Sequence, residues 1–148
     1  MTTLYLVRGI PGSGKSTFAQ KLAREKGIRH YEADQYFSQG GSYVFDPTKL
    51  RAAHAWCFGK TEDELKKGND VIVSNTFTQK WELENYIGAA LLADAKVEVV
   101  QCTGSWDNIH GVPPDKLAQM KSRFVDNDVI EQDYGPEVLK GLIGFRKV

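Results

Sequence analysis

Charge of one sign is what this sequence lacks. Its 19 basic and 19 acidic residues cancel, which removes the broad positive field that non-specific nucleic-acid binding relies on, so any such contact must be local. Cysteine is scarce as well: Cys57 and Cys102 are the only two. They cannot build a disulfide framework, and both read as buried thiols in a reducing compartment. His30, His54 and His110 are far apart and form no cluster with zinc spacing. Long apolar runs are absent too. Leu4 to Val7 stops at Arg8 and Gly9, too short for a signal peptide or a membrane span, and nothing else approaches the length of a spanning segment. A cytoplasmic location is expected. Without repeats or low-complexity tracts, and with 41% hydrophobic and 26% charged residues over 148 positions, the composition predicts one globular domain over 1–148.

Periodicity organises what is present. Leu4 to Val7 reads as a strand, a glycine-rich turn follows, and Ser16 to Lys26 carries Phe18, Ala19, Leu22 and Ala23 at helical spacing. A second strand is expected over Ile28 to Ala33, with Asp34 at its carboxyl end. Asp46 and Pro47 look like a cap and first turn of a long helix with Leu50, Ala53, His54, Cys57, Phe58, Thr61 and Leu65 on one stripe, ended by Gly68. Val71 to Val73 suits a strand buried on both faces. A helix from about Lys80 to Leu92 and a strand from Lys96 to Cys102 follow, and Pro113-Pro114 open a later helix. Alternation of this kind predicts an α/β fold, a parallel sheet of four to five strands with helices on both faces and a small lid at about 103–112. Val138 to Val148 fits either a last helix or an edge strand.

Gly9-Ile10-Pro11-Gly12-Ser13-Gly14-Lys15-Ser16 matches G-x-x-x-x-G-K-[ST] between a strand and a helix, the setting that gives this motif its meaning. Such a P-loop wraps backbone N–H groups around phosphate oxygens at a helix N-terminus. Gly12, Ser13, Gly14, Lys15, Ser16 and Thr17 are therefore the candidate nucleotide-binding residues, with Lys15 reaching the β- and γ-phosphates and the Ser16 hydroxyl ligating Mg2+. The N-K-x-D motif of guanine-nucleotide switches is absent. Asp34 can act as a general base toward an acceptor hydroxyl, or it can simply cap Gln35 to Phe37.

Leu6 to Thr17, Asp34-Gln35-Tyr36-Phe37 and Val71 to Thr76, together with Asn108 to Pro113 and Met120 to Phe124, resemble the bacteriophage polynucleotide kinase family of AAA-type P-loop ATPases. The resemblance implies ATP as donor, Asp34 as general base, and a 5′-hydroxyl of a polynucleotide or nucleotide as acceptor. It also marks departures. The arginine that holds the acceptor-side phosphate in that family is Phe37 here, its aspartate partner is Asn75, and no lid arginine stands between Thr103 and Val112, where His110 is the only basic side chain. Lys121 or Arg123 could supply the missing charge, and Arg123 is the catalytic candidate of the two.

On the acceptor side Tyr36 and Tyr43 lie near turns and are candidates for stacking on a base or ring, while Phe45 and Trp56 read as core. His54 has the position of a hydrogen-bonded core histidine and is only a weak acceptor candidate. Other expectations remain open: a kinase for a modified DNA base or small metabolite, and a nucleotide-binding adaptor or slow ATPase.

Overall fold

The computed structural model describes residues 1–105 and 111–148. Five strands, β1 (Thr3–Arg8), β2 (Arg29–Tyr31), β3 (Val71–Asn75), β4 (Lys96–Gln101) and β5 (Ile143–Lys147), form a single sheet in the order β2-β3-β1-β4-β5, and every pairing is parallel. The helices are α1 (Lys15–Lys26), α2 (Leu50–Lys66), α3 (Lys80–Leu92), α4 (Pro114–Arg123), α5 (Asn127–Glu131) and α6 (Gly135–Leu139).

Alternation along the central strands divides the core between the sheet's faces. Leu4, Leu6, Val71, Val73, Val97 and Val99 pack with Ala53, Cys57 and Leu65 of α2 and Leu83, Ile87 and Ala90 of α3. Val7, Ile72 and Val100 turn the other way onto Ala19 of α1, with Phe18, Leu22 and Ala23 around them. β3 is buried at all five positions, as its unbroken apolar start predicts. β1 lies at the centre, so the loop that leaves its carboxyl end emerges between β3 and β4.

Several boundaries differ from the expected ones. β2 ends at Tyr31, because Ala33 to Ser38 coils into a 3₁₀ turn whose Ala33 N–H donates to Asn75 Oδ1 at 3.0 Å. Asp46 accepts from Thr48 N–H and caps a short 3₁₀ turn, Pro47–Lys49, and α2 begins after it. His54 is exposed, against the expectation of a core histidine. The buried stripe of α2 runs through Ala53, Cys57, Thr61, Glu64 and Leu65, and His54 is turned about 100° from Ala53. The C-terminal segment, open between helix and strand, contains both: α6, then β5 at the sheet edge. Part of the expected lid, including Asn108, Ile109 and His110, lies outside the described residues.

Arg8, the last residue of β1, is fully buried. Its Nε and Nη2 donate to the Phe77 carbonyl at 3.0 and 2.6 Å, its Nη1 donates to Asn127 Oδ1 at 2.8 Å, and its guanidinium lies 4.2 Å from the centre of the Phe124 ring. Burial lowers its pKa to about 10, with Asp126 and Glu82 opposing the shift, and at neutral pH it stays protonated. Asn127 passes the connection on, donating from Nδ2 to the carbonyls of Val99 and Arg146. Arg8→Met keeps much of the volume and deletes the fork, leaving the buried Phe77 carbonyl and the Asn127 amide oxygen without the donors they now have. The expected cost is about 3 kcal/mol, or roughly 6–12 °C in melting temperature, read by circular dichroism. An unchanged melting curve would show that the fork is dispensable.

Candidate active site

The turn between β1 and α1 is tight enough to demand glycine. A Cβ at Gly9 would fall 2.2 Å from Ser13 Oγ and 3.1 Å from the Cys102 carbonyl oxygen. Gly12 and Gly14 have φ of 85° and 90°, the left-handed region that side chains disfavour. The loop is closed by Ser13 N–H on the Ile10 carbonyl at 3.1 Å and anchored outside by Gly9 N–H on the Thr76 carbonyl at 3.3 Å. Gly14 stands at the N-cap of α1 and offers no side-chain acceptor, so the N–H groups of the first turn remain available to an anion.

Two further observations fit a phosphate-bearing ligand. Ser13 Oγ is buried without a hydrogen-bond partner among the described residues. Lys15 is buried as well and forms no ion pair among the described residues. Burial pulls its pKa below the ordinary lysine value, and Glu32 is the first of the charges that oppose the shift. A charge left this poorly compensated suits a strongly anionic partner. Ser16, half-buried in the first turn of α1, is placed to offer a hydroxyl oxygen to a cation; Thr17 is exposed. No cluster of three His, Cys, Asp or Glu side chains fit for a metal exists among the described residues. A hard cation here would rest on Ser16 with phosphate oxygens and water, the coordination Mg2+ prefers.

Asp34 lies just beyond β2, at the same carboxyl edge of the sheet. It does not cap the turn: the N-cap is Glu32, and Asp34 sits inside the 3₁₀ segment. Its exposed carboxylate accepts, through Oδ1, the hydroxyl proton of Tyr43 at 2.7 Å. That bond, assisted by desolvation and by the Asp34 charge, pushes the Tyr43 pKa up to about 12, so the phenol remains a donor at any ordinary pH.

Phe37 explains why Tyr43 is there. It is buried and meets Tyr36, Tyr43 and Phe45 edge to face, with ring centres 5.5, 6.5 and 5.1 Å away. Val44 N–H on the Phe37 carbonyl at 2.9 Å closes the same loop. Phe37 thus anchors the loop that carries Tyr43. Phe45, expected in the core, is 50% exposed despite that contact. Trp56 is half-buried against Tyr31 and Tyr36. Asn75 is buried, holding Ala33 N–H and approaching Cys57 Sγ at 3.9 Å through Nδ2, which fixes the turn that presents Asp34.

Across the P-loop, a cavity of about 240 Å³ is bounded by Ile10 and Ser13, by Thr103 and Gly104 after β4, and by Lys121 and Phe124. Lys121 of α4 lines it; Arg123 does not. Arg123 is exposed, and its carbonyl oxygen accepts from Gln79 Nε2. Cys102 also borders the cavity, and burial raises its pKa to about 11, against the influence of Lys15 and Arg146, leaving an unreactive thiol.

Two residues that sequence reasoning passed over as site members join this edge. Glu32 directly follows β2, and Ser74, next to last in β3, donates its hydroxyl to Glu32 Oε2 at 3.0 Å. No local signal marked Glu32, which the strand expected over Ile28 to Ala33 takes in.

A family model described as an AAA domain matches residues 4–127. NEDD4-binding protein 2 of Homo sapiens is 32% identical over 93% of this chain, which spans 8% of that relative's length. The structure of a Pnkp1/Rnl/Hen1 RNA repair complex superposes with a TM-score of 0.57 at 20% identity, covering 88% of this chain and 42% of the other. An APS kinase of Mycobacterium tuberculosis does so with a TM-score of 0.55 at 16% identity, covering 82% and 96%. Likeness at these identities is likeness of fold. The family match rests on most of the sequence and includes the whole P-loop: the chain belongs to the AAA-domain family, with an α/β fold of the P-loop kinase kind.

Proposed function

We propose that this chain is an ATP-dependent phosphotransferase that moves the γ-phosphate to a hydroxyl, with the 5′-hydroxyl of a polynucleotide or nucleotide as the leading acceptor. The observation that carries the reading is Asp34: a carboxylate that caps nothing, sits at the carboxyl edge of the sheet as the P-loop does, and already holds a hydroxyl at 2.7 Å. An acceptor hydroxyl taking the place of Tyr43 would give its proton to Asp34 as its oxygen bonds to the γ-phosphorus and the bond to the bridging β–γ oxygen breaks. Lys15 would balance charge on the transferring oxygens, Gly12 to Thr17 would hold the triphosphate, and Lys121 or Arg123 could add positive charge from α4. Mg2+ held at Ser16 would neutralise the β- and γ-phosphates. Tyr36 and Tyr43 offer ring faces to a base, while Asn75 serves the acceptor side indirectly, by positioning Asp34. His110, the remaining acceptor candidate, lies outside the described residues. Contact with nucleic acid would be local, as net neutrality requires, and the place of action is the cytoplasm.

A second reading is favoured by Phe37 and Asn75. Both are engaged in packing and turn-holding, so neither forms an acceptor-phosphate clamp, and a small hydroxyl compound or a modified DNA base is the alternative acceptor. Incubation with labelled ATP and a panel of 5′-hydroxyl oligonucleotides, nucleosides and modified DNA separates the two. Label confined to small molecules would remove the polynucleotide reading, and ATP binding without transfer to any acceptor would favour an adaptor.

Donor and acceptor halves should respond to different variants. Asp34→Asn is expected to lower transfer by ~100-fold with ATP affinity unchanged. Gly9→Ala should do the opposite, weakening ATP binding at least about tenfold by forcing Ser13 out of the cradle. Tyr43→Ala should raise the acceptor KM by roughly tenfold through loss of a stacking ring. Equal effects of all three on ATP affinity, measured by calorimetry, would refute this division of labour.

A further inference from the structure

P-loop enzymes generally place an acid on the strand beside the P-loop strand, close to the cation held by the P-loop hydroxyl. Here that strand is β3, and the register sets Ser74 beside Val7 and Asn75 beside Arg8. Neither is an acid. The carboxylate comes from the neighbouring strand instead. Glu32 follows β2 directly, and its Oε2 accepts the Ser74 hydroxyl proton at 3.0 Å. His30 Nε2 lies 2.6 Å from Ser74 Oγ and 3.9 Å from Glu32 Oε2. Because Ser74 has a single proton and gives it to Glu32, the short contact requires His30 to donate from Nε2. Two donors in series therefore orient the carboxylate, and Oε1 is left without a hydrogen bond among the described residues.

We infer that Glu32, oriented by Ser74 and His30, supplies the acid that β3 lacks, and that it binds the water shell of the cation held at Ser16. The inference rests on the site binding ATP with Mg2+, as proposed above. The bland alternative is that Glu32 merely balances Lys15, on which it acts as a counter-charge. The two differ in one observable. A counter-charge for Lys15 influences ATP binding with or without magnesium, whereas an acid that serves the cation influences only the gain that magnesium brings.

The test measures ATP affinity by calorimetry in excess EDTA and in excess Mg2+ for the wild type, Glu32→Gln, Ser74→Ala, and Glu32→Gln combined with Ser74→Asp. Glu32→Gln should lose about tenfold or more of the magnesium-dependent gain, as is usual when an outer-sphere partner is removed, while its affinity in EDTA is unchanged or tighter. Ser74→Ala should show part of that loss, and it keeps the inference testable if Glu32→Gln folds poorly. Ser74→Asp in the Glu32→Gln background should restore the gain by returning an acid to β3. Equal changes with and without magnesium, or a full gain retained in Glu32→Gln, would overturn the inference, as would a wild type whose ATP affinity ignores magnesium. A wild type that binds no ATP under either condition would instead defeat the functional reading itself.

Discussion

The buried guanidinium of Arg8 is the constraint on which the rest of this molecule depends. It ends the central strand, directly before the loop that wraps the phosphate site, and among the described residues it forms no ion pair with a carboxylate. Each of its three nitrogens donates to a carbonyl or an amide oxygen, with an aromatic face alongside. Taking such a charge out of water is expensive unless its donors are matched, and the match here fixes groups far apart in sequence. Phe77, held by two of the donors, has φ of 45°, a conformation a phenylalanine leaves readily unless its surroundings impose it. Asn127, held by the third, reaches β4 and β5. A lysine could not span these partners, because only the planar fork presents donors in several fixed directions.

From that anchor the two halves of the site are built by different physics. The phosphate half is backbone: glycines that permit a tight wrap, a helix start left uncapped, and an ammonium held where water cannot screen it. The opposite half is aromatic packing. Phe37 sits under a loop that ends in Val44 N–H on its own carbonyl, and the edge-to-face contact of Tyr43 with Phe37 brings its phenol to Asp34. Geometry on the first side follows from chain conformation alone, and geometry on the second from side chains meeting across a loop.

That difference decides what could be read from the sequence. The P-loop was legible because its information is local: eight consecutive residues specify turn, dipole and charge together. Parallel β-α alternation was legible for the same reason, through the apolar runs at Leu4, Val71 and Val97. Asp34 was legible only as a choice between base and cap, since the cap is decided by which residue opens the 3₁₀ turn, and that depends on Asn75, far along the chain. His54 misled because a stripe drawn too wide takes in a residue one step around the helix from Ala53. Glu32 and Ser74 were invisible as a pair, for no pattern along one strand announces a hydrogen bond to the next. Arg8 looked like part of a motif, and nothing in the sequence announced that it would be buried.

The edges of the sheet carry one more consequence. Parallel sheets with an open border invite other chains to add strands, the route by which such proteins clump during synthesis and storage. Here β2, at one border, offers only three residues, and β5, at the other, ends in Arg146 and Lys147, with Lys147 salt-bridged to Asp126 and Asp128. A visiting strand finds too short a template on one side and a fixed set of charges on the other. The sheet that exposes its carboxyl end to ligands therefore keeps both lateral borders closed to its own kind.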